Sequence, residues 1–258
     1  MAKIIAVANQ KGGVGKTTTS INLAASFAAM KRKIMLIDFD PQGNASVGSG
    51  VTKDKVHFAA HDVLLGDATL EQALIKTNFG YDLIPTNQDL IIAEMKLLHE
   101  PEREQRLKTL LQPALAKYDY ILIDCPPSLS VLTANALVAA DSVLVPIQCE
   151  YYALEGLSAL LNTVEQVRSA LNPRLHIEGL LRTMYDGRNR LALDVSAQLL
   201  DHFPDKIYRT VIPRNVRLAE APSHGAPILA YDGKSQGAIA YLTLAGEILR
   251  RAETKSAA

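Results

Sequence analysis

The sequence of 258 residues predicts a single α/β domain: a mainly parallel, twisted sheet with helices on both faces. Two patterns carry that prediction. Apolar, strand-like runs alternate with helical runs along most of the chain, the order that builds a parallel sheet through crossover helices. Several strand runs, such as Ile34-Met35-Leu36-Ile37 and Tyr120-Ile121-Leu122-Ile123, are continuously apolar, so each must be covered on both faces. A third observation, a glycine-rich turn between the first strand and the first helix, fixes what kind of α/β domain this is.

In chain order the strands are expected at 3–8, 33–38, 81–85, 119–124, 142–147, 175–182 and 206–212. Helices are expected near 17–30, 89–98, 103–117, 130–139, 154–171, 190–202 and 235–252. No internal repeat and no low-complexity linker interrupts them. The folded unit is therefore placed at 1–252, with 253–258 as a frayed tail.

Composition narrows the class. Apolar residues make up 48% and charged residues 21%, as in a globular domain. Lysine plus arginine and aspartate plus glutamate balance at 27 each, so a nucleic-acid site must come from local clustering. The two cysteines, Cys125 and Cys149, cannot form a disulfide framework, which fits a reducing cytoplasm. Lys3 interrupts the N-terminus, no secretory-signal pattern follows, and no apolar run is long enough to span a bilayer. The six histidines form no metal-spaced pair on one helix.

The turn reads Asn9-Gln10-Lys11-Gly12-Gly13-Val14-Gly15-Lys16-Thr17-Thr18. Gln10 stands where the ordinary phosphate-loop pattern has glycine, so the strict motif fails. The strand ahead of it, the Lys-Thr pair and the helix behind it supply the context of a phosphate site. Glycines let backbone N–H groups turn toward phosphate oxygens, and the helix N-terminus adds partial positive charge. Lys16 is placed to reach β- and γ-phosphates and Thr17 to ligate Mg²⁺. Lys11 lies too early for the ordinary lysine of such a loop and points to phosphate contact from a second direction. The domain is thus predicted to have the P-loop NTPase fold.

Two further strand ends carry carboxylates, where ligands bind in open α/β sheets. Asp124, before Cys125-Pro126-Pro127, is placed to hold Mg²⁺ directly or through a water. Of Asp38 and Asp40, one is expected to face the phosphates. Asp40, further beyond the strand end, is favoured for positioning or deprotonating the attacking water, with Asp38 behind Thr17 and the metal.

In the glycine turn, in Asp38-Phe39-Asp40-Pro41-Gln42-Gly43-Asn44 and in Asp124-Cys125-Pro126-Pro127-Ser128, the chain resembles the deviant Walker A ATPases of the ParA/Soj type, within the ParA/MinD superfamily. The match continues at Gln148-Cys149-Glu150-Tyr151-Tyr152-Ala153-Leu154-Glu155-Gly156. It resumes at Val211-Ile212-Pro213-Arg214-Asn215-Val216-Arg217-Leu218-Ala219-Glu220-Ala221-Pro222-Ser223-His224-Gly225. With its first strand at Lys3, the chain looks like the short, chromosomal form. The resemblance implies a cytoplasmic, nucleoid-associated bacterial ATPase of slow turnover that partitions chromosomes or plasmids. ATP and Mg²⁺ would favour a sandwich homodimer that binds double-stranded DNA nonspecifically. A ParB/Spo0J-like centromere-binding partner would stimulate hydrolysis and release it. Each Lys11 would contact the nucleotide of the other subunit, and Gly12 would sit where the two loops meet. Pro213 and Asn215 would lie beside the adenine, with an ordinary turn as the alternative for Asn215.

The DNA surface is expected on two basic loops, at Arg188 and Arg217 first and Arg190 and Arg214 next. Both loops follow strands expected to be parallel, so they would emerge on one edge. The other reading of these arginines is a solvated face, or ion pairs with Asp186 and Glu220. Two rival functions stay open. A MinD-like membrane ATPase would need a C-terminal amphipathic membrane helix, whereas Leu242, Leu244, Ala245, Ile248 and Leu249 form an ordinary core stripe. A metabolic or cluster-carrying P-loop protein would use Cys125 and Cys149 as ligands, whereas buried thiols fit them better.

Overall fold

The computed structural model describes residues 1–52 and 56–257. Among these, eight strands form one sheet: β1 Lys3–Val7, β2 Ile34–Asp38, β3 Ile75–Lys76, β4 Asp82–Ile84, β5 Tyr120–Asp124, β6 Ser142–Gln148, β7 His176–Tyr185 and β8 Ile207–Pro213. Their order across the sheet is β3-β4-β2-β5-β1-β6-β7-β8. Every pairing is parallel except that of β3 with β4, which is antiparallel. All seven expected strands are present. The two-residue β3 has too short a pattern to be read from sequence.

Helices cover both faces, as continuous apolar strands require. Along β1, Ile4 and Ala6 enter one core while Ile5 and Val7 enter the other. Along β2, Met35 and Ile37 face the first core and Ile34 and Leu36 the second. The first core is closed mainly by α5 Leu90–Leu97, α6 Arg106–Leu111, α7 Val131–Ala139, α8 Ala153–Ala170 and α9 Arg190–His202, with α3 Ala60–Leu65 and α4 Leu70–Ala73 at one end. The second is closed by α1 Lys16–Ala29 and α12 Gln236–Ala257, joined by the short α2 Asn44–Gly48, α10 Val216–Glu220 and α11 Ile228–Tyr231.

Three boundaries differ from the sequence reading, one of them being that β7 ends at Tyr185 and not at residue 182. The helix expected over 103–117 is α6 flanked by 3₁₀ turns at Arg103–Gln105 and Gln112–Ala114. Pro113, in the second of these turns, has no backbone N–H to continue an α-helical ladder. The last helix continues past residue 252 to Ala257, where a frayed tail was expected; Ala258 lies outside the described residues. On α12, Leu244, Ala245 and Ile248 are fully buried against the second core, so its apolar stripe is used for packing.

Candidate nucleotide site

Three strands place the site. β5 and β1 are in register from Lys3↔Tyr120 to Val7↔Asp124, and β2 and β5 pair Asp38 with Asp124. The C-terminal ends of β1, β5 and β2 therefore lie side by side, where an open α/β sheet binds its ligands. The chain leaves β1 through the glycine turn and enters α1 at Lys16. Gly13 (φ 73°) and Gly15 (φ 86°) hold left-handed backbone that side chains rarely adopt, which is the local reason for glycine at both positions.

A cavity of about 500 Å³ opens over this edge, a size that suits a small-molecule ligand. Gly12, Gly13, Gly15, Lys16, Thr17 and Thr18 line one side. Asp40, Gln42, Asn44 and Pro127 line the region beyond β2 and β5. Thr183, Met184, Pro213, Arg214, Asn215, Leu218, Ala219 and Tyr241 close the rest. Val14 is buried behind the loop, where its carbonyl accepts a 2.7 Å hydrogen bond from the Thr183 hydroxyl.

Lys16 is 7% exposed, and its ammonium donates to the Lys11 carbonyl at 3.1 Å. Burial lowers its pKa, opposed by the charges of Asp124 and Asp40. Lys11 stands outside the cavity lining. Its ammonium pairs with Glu150 Oε2 of the same chain at 2.6 Å. A Cβ built on Gly12 meets nothing within 4 Å, so no neighbour in the single chain demands glycine there.

The two aspartates at the end of β2 are separated because the strand stops at Asp38 and Asp40 lies in the turn beyond it. Asp38 is fully buried, and its Oδ2 accepts from the Ser46 backbone N and hydroxyl, both at 2.7 Å. Asp40 lines the cavity, and its Oδ1 accepts from the Gln42 N at 3.0 Å. Burial, with the neighbouring Asp124 charge, pushes Asp38 up to about 8 despite the Ser46 bonds.

Asp124 is also fully buried. The Ser20 hydroxyl donates to its Oδ1 at 2.7 Å, while Oδ2 has no hydrogen-bond partner. Burial raises its carboxyl to about 6, against the pull of the Ser20 and Thr17 hydroxyls and the Lys16 charge, with the Asp40 charge adding to the rise. An unpartnered buried carboxylate oxygen beside a second buried carboxylate is costly unless a cation meets it. Hard oxygen donors of this kind fit Mg²⁺.

Asn215 lines the cavity, and its Oδ1 also accepts from Leu218 N at 3.2 Å as the cap of α10. Arg214, expected on the DNA surface, lines this cavity too. Arg188, Arg190 and Arg217 lie outside it. β7 and β8 are parallel neighbours, so the segments that follow them leave one edge; Arg188 and Arg214 lie in loops there, but Arg190 opens α9 and Arg217 lies in α10, where loops were expected. The ion-pair reading is realised for Arg188 and Arg217. Arg188 donates from Nε and Nη2 to the two oxygens of Asp186, and Arg217 pairs with Glu220 at 2.9 Å and Asp232 at 3.6 Å. Such exposed, solvent-screened pairs contribute too little to keep either arginine from a phosphate.

Cys125 and Cys149 are both buried and free. Burial pushes the Cys125 thiol far up and the Cys149 thiol to about 11, so both are inert thiols. Among the described residues no group of three or more histidine, cysteine, aspartate or glutamate side chains is arranged to hold a metal, and no helix is long and apolar enough to cross a membrane. The Mg²⁺ fit therefore rests on Asp124 with the Thr17 hydroxyl and the ligand's own oxygens.

A glycine loop, a helix N-terminus, a buried lysine and strand-end carboxylates define a P-loop nucleoside triphosphatase. An AAA domain family model matches residues 2–177. The chromosome partitioning protein ParA of Caulobacter vibrioides (strain NA1000 / CB15N) is 50% identical over 258 residues, 99% of this chain and 97% of its own length. The chain belongs to the ParA/Soj family of ATPases. Among solved structures, cobyrinic acid a,c-diamide synthase from Mycobacterium smegmatis with bound ADP and magnesium is 39% identical. It covers 99% of this chain and 97% of its own, with a TM-score of 0.87. MinD from Pyrococcus horikoshii OT3, complexed with Mg-ADP, is 29% identical, covers 99% of each chain and has a TM-score of 0.79.

Proposed function

We propose that this chain is a DNA-partitioning ATPase whose output is a nucleotide-dependent surface. ATP and Mg²⁺ occupy the cavity at the β1 edge and favour a sandwich homodimer. The dimer binds duplex DNA without reading bases, and a ParB-like partner stimulates hydrolysis and release.

The observation that carries the reading is the pair of lysines on one loop. Lys16 is buried at the mouth of α1, placed to bind β- and γ-phosphate oxygens of the nucleotide in its own chain. Lys11 sits outside the cavity lining on a half-exposed ion pair with Glu150. Releasing that pair costs at most about 1 kcal/mol, so Lys11 is free to reach a nucleotide held by a second subunit. Open space at Gly12 accords with a constraint supplied by another chain. Charge delivered in trans acts only when two chains meet, which ties hydrolysis to assembly.

The remaining roles follow from position. Backbone N–H groups from Gly12 to Thr18 cradle the phosphates with the helix N-terminus behind them. Thr17 and the unpartnered Oδ2 of Asp124 hold the metal, directly or through a water. Mg²⁺, when bound, offsets phosphate charge. Asp40 orients the attacking water from the cavity wall, while Asp38 fixes Ser46 and the chain behind it. Pro213 and Asn215 border the base. Arg188, Arg190, Arg214 and Arg217 supply the DNA contacts, with Arg214 shared between that surface and the nucleotide cavity.

Sedimentation velocity in the absence of nucleotide, with ADP, and with Mg²⁺ and a slowly hydrolysed ATP analogue tests the assembly step. A dimer confined to the ATP state is expected. A monomer in all three states, or ATP-dependent sedimentation with liposomes, would overturn the reading in favour of a different output.

A further inference from the structure

The strand β7 runs three residues further than its apolar pattern suggests, and those residues join the phosphate loop to both basic loops. Thr183 is 2% exposed, and its hydroxyl donates to the Val14 carbonyl at 2.7 Å. A Cβ on Gly15 would lie 3.8 Å from the Thr183 Cβ and Cγ2, so Thr183 packs directly on the loop. Met184 follows with φ 47°, left-handed backbone that a non-glycine side chain adopts only under constraint, and it lines the cavity. Between Arg182↔Val211 and Tyr185↔Pro213, β7 has one residue more than β8, which is a bulge beside the site.

Beyond the bulge, Tyr185 ties the second side together. Its carbonyl accepts from the Arg214 N at 3.3 Å, and Arg182 stacks over its ring at 5.6 Å. Arg182 is anchored in turn to Ser196 of α9 at 2.9 Å and to the Tyr208 carbonyl at 3.0 Å. The next residues form the loop in which Asp186 holds Arg188 and accepts the Asn189 N. One short segment thus touches the cavity, the back of the phosphate loop, the 186–190 loop and Arg214.

We propose that Thr183 and the bulge at Met184 couple nucleotide state to the two basic loops, with Thr183 as a positioning residue acting through the Val14 carbonyl. The proposal rests on the reading of the cavity as a nucleotide site. A ligand shifts a conformational equilibrium only through contacts that differ between the states. Met184 in the cavity wall and Val14 in the loop are where such a difference would enter, and the strained bulge is the element proposed to respond to it.

The test is amide hydrogen exchange on the full chain at saturating Mg²⁺ with either ADP or a slowly hydrolysed ATP analogue, nucleotide affinity being measured on the same samples. Wild type should show exchange at Arg188, Asn189 and Arg214 that differs by about fivefold or more between the two states. Thr183→Val keeps the methyl contact and removes the donor. It should cut that difference to less than about twofold, while Thr183→Ser, which keeps the hydroxyl, should restore it. Met184→Gly, which accepts the left-handed backbone without strain, is the second variant and should lose the difference likewise. Equal differences in wild type and Thr183→Val, or none in a nucleotide-saturated wild type, would overturn the coupling alone. A Thr183→Val chain that cannot be saturated would make Thr183 a binding residue only and also overturn it. Wild type that binds neither nucleotide would sink the site reading and the coupling together.

Discussion

Replacing Lys16 by alanine removes a buried charge from a cavity whose lining has only one other cation, Arg214, among the described residues. In the free chain its ammonium makes a single hydrogen bond, to the Lys11 carbonyl, so the loop should survive the loss. The bound state is another matter. An ammonium between β- and γ-phosphates makes about two charge-assisted hydrogen bonds, each about 1.5–3 kcal/mol, for a total of about 3–6 kcal/mol. Asp124 and Asp40, whose charges Lys16 offsets, would then face the triphosphate uncompensated. The expected loss of ATP affinity is on the order of 10²–10⁴-fold. Equilibrium titration with a fluorescent ATP analogue reads it. A thermal melt within about 4 °C of wild type would show that the chain remains folded. Affinity within about tenfold of wild type would refute the assignment of Lys16.

Three further outcomes are expected. A Cβ at Gly12 meets no neighbour within 4 Å in its own chain, so Gly12→Val should fold and bind ATP yet remain a monomer by light scattering; a normal ATP dimer would contradict the two-loop contact. Asp40→Ala should lower single-turnover hydrolysis on the order of 10²-fold or more while ATP binding holds; near-normal hydrolysis would pass the role to another group. Arg188→Glu with Arg217→Glu should abolish duplex binding and leave the ATP dimer intact by sedimentation. In the single variants the salt slope should flatten by about 0.9 log unit for each phosphate that is no longer neutralised, and unchanged slopes would place the DNA surface elsewhere.

Much of the architecture was legible because buried parallel strands advertise themselves. Ile34 to Ile37 and Tyr120 to Ile123 feed two cores in alternation, and only a strand covered on both faces needs that composition. The elements that escaped are too short to show a period: β3 has two residues, and α2 and α10 have five each. The phosphate loop could be read because glycine, lysine and threonine carry their chemistry in fixed order. Thr183, Met184 and Tyr241 could not, since each is an ordinary residue of a strand or helix brought to the cavity by sheet order. The signal available for Thr183 was its strand, expected to end at Arg182 beside the loop edge, and ending it there hid the contact. Residues two apart on a strand share a face, so alternation could not separate Asp38 from Asp40; what marked Asp40 was its place beyond the strand end, and it is the one on the cavity. The arginines were harder. Asp186 lies two residues from Arg188 and Glu220 three from Arg217, so the same sequence supports a DNA face and local ion pairs.

The most direct measurement of the central claim is duplex affinity in three states: no nucleotide, ADP, and Mg²⁺ with a slowly hydrolysed ATP analogue. One chain offers only a few phosphate contacts and should bind weakly at physiological salt, whereas a dimer doubles them on one duplex and raises the effective concentration of the second set. Strong binding should therefore appear with the ATP analogue alone, be nearly equal on two unrelated duplexes, and fall steeply with salt. Equal affinity in all three states, or a strong preference for one duplex, would contradict the account.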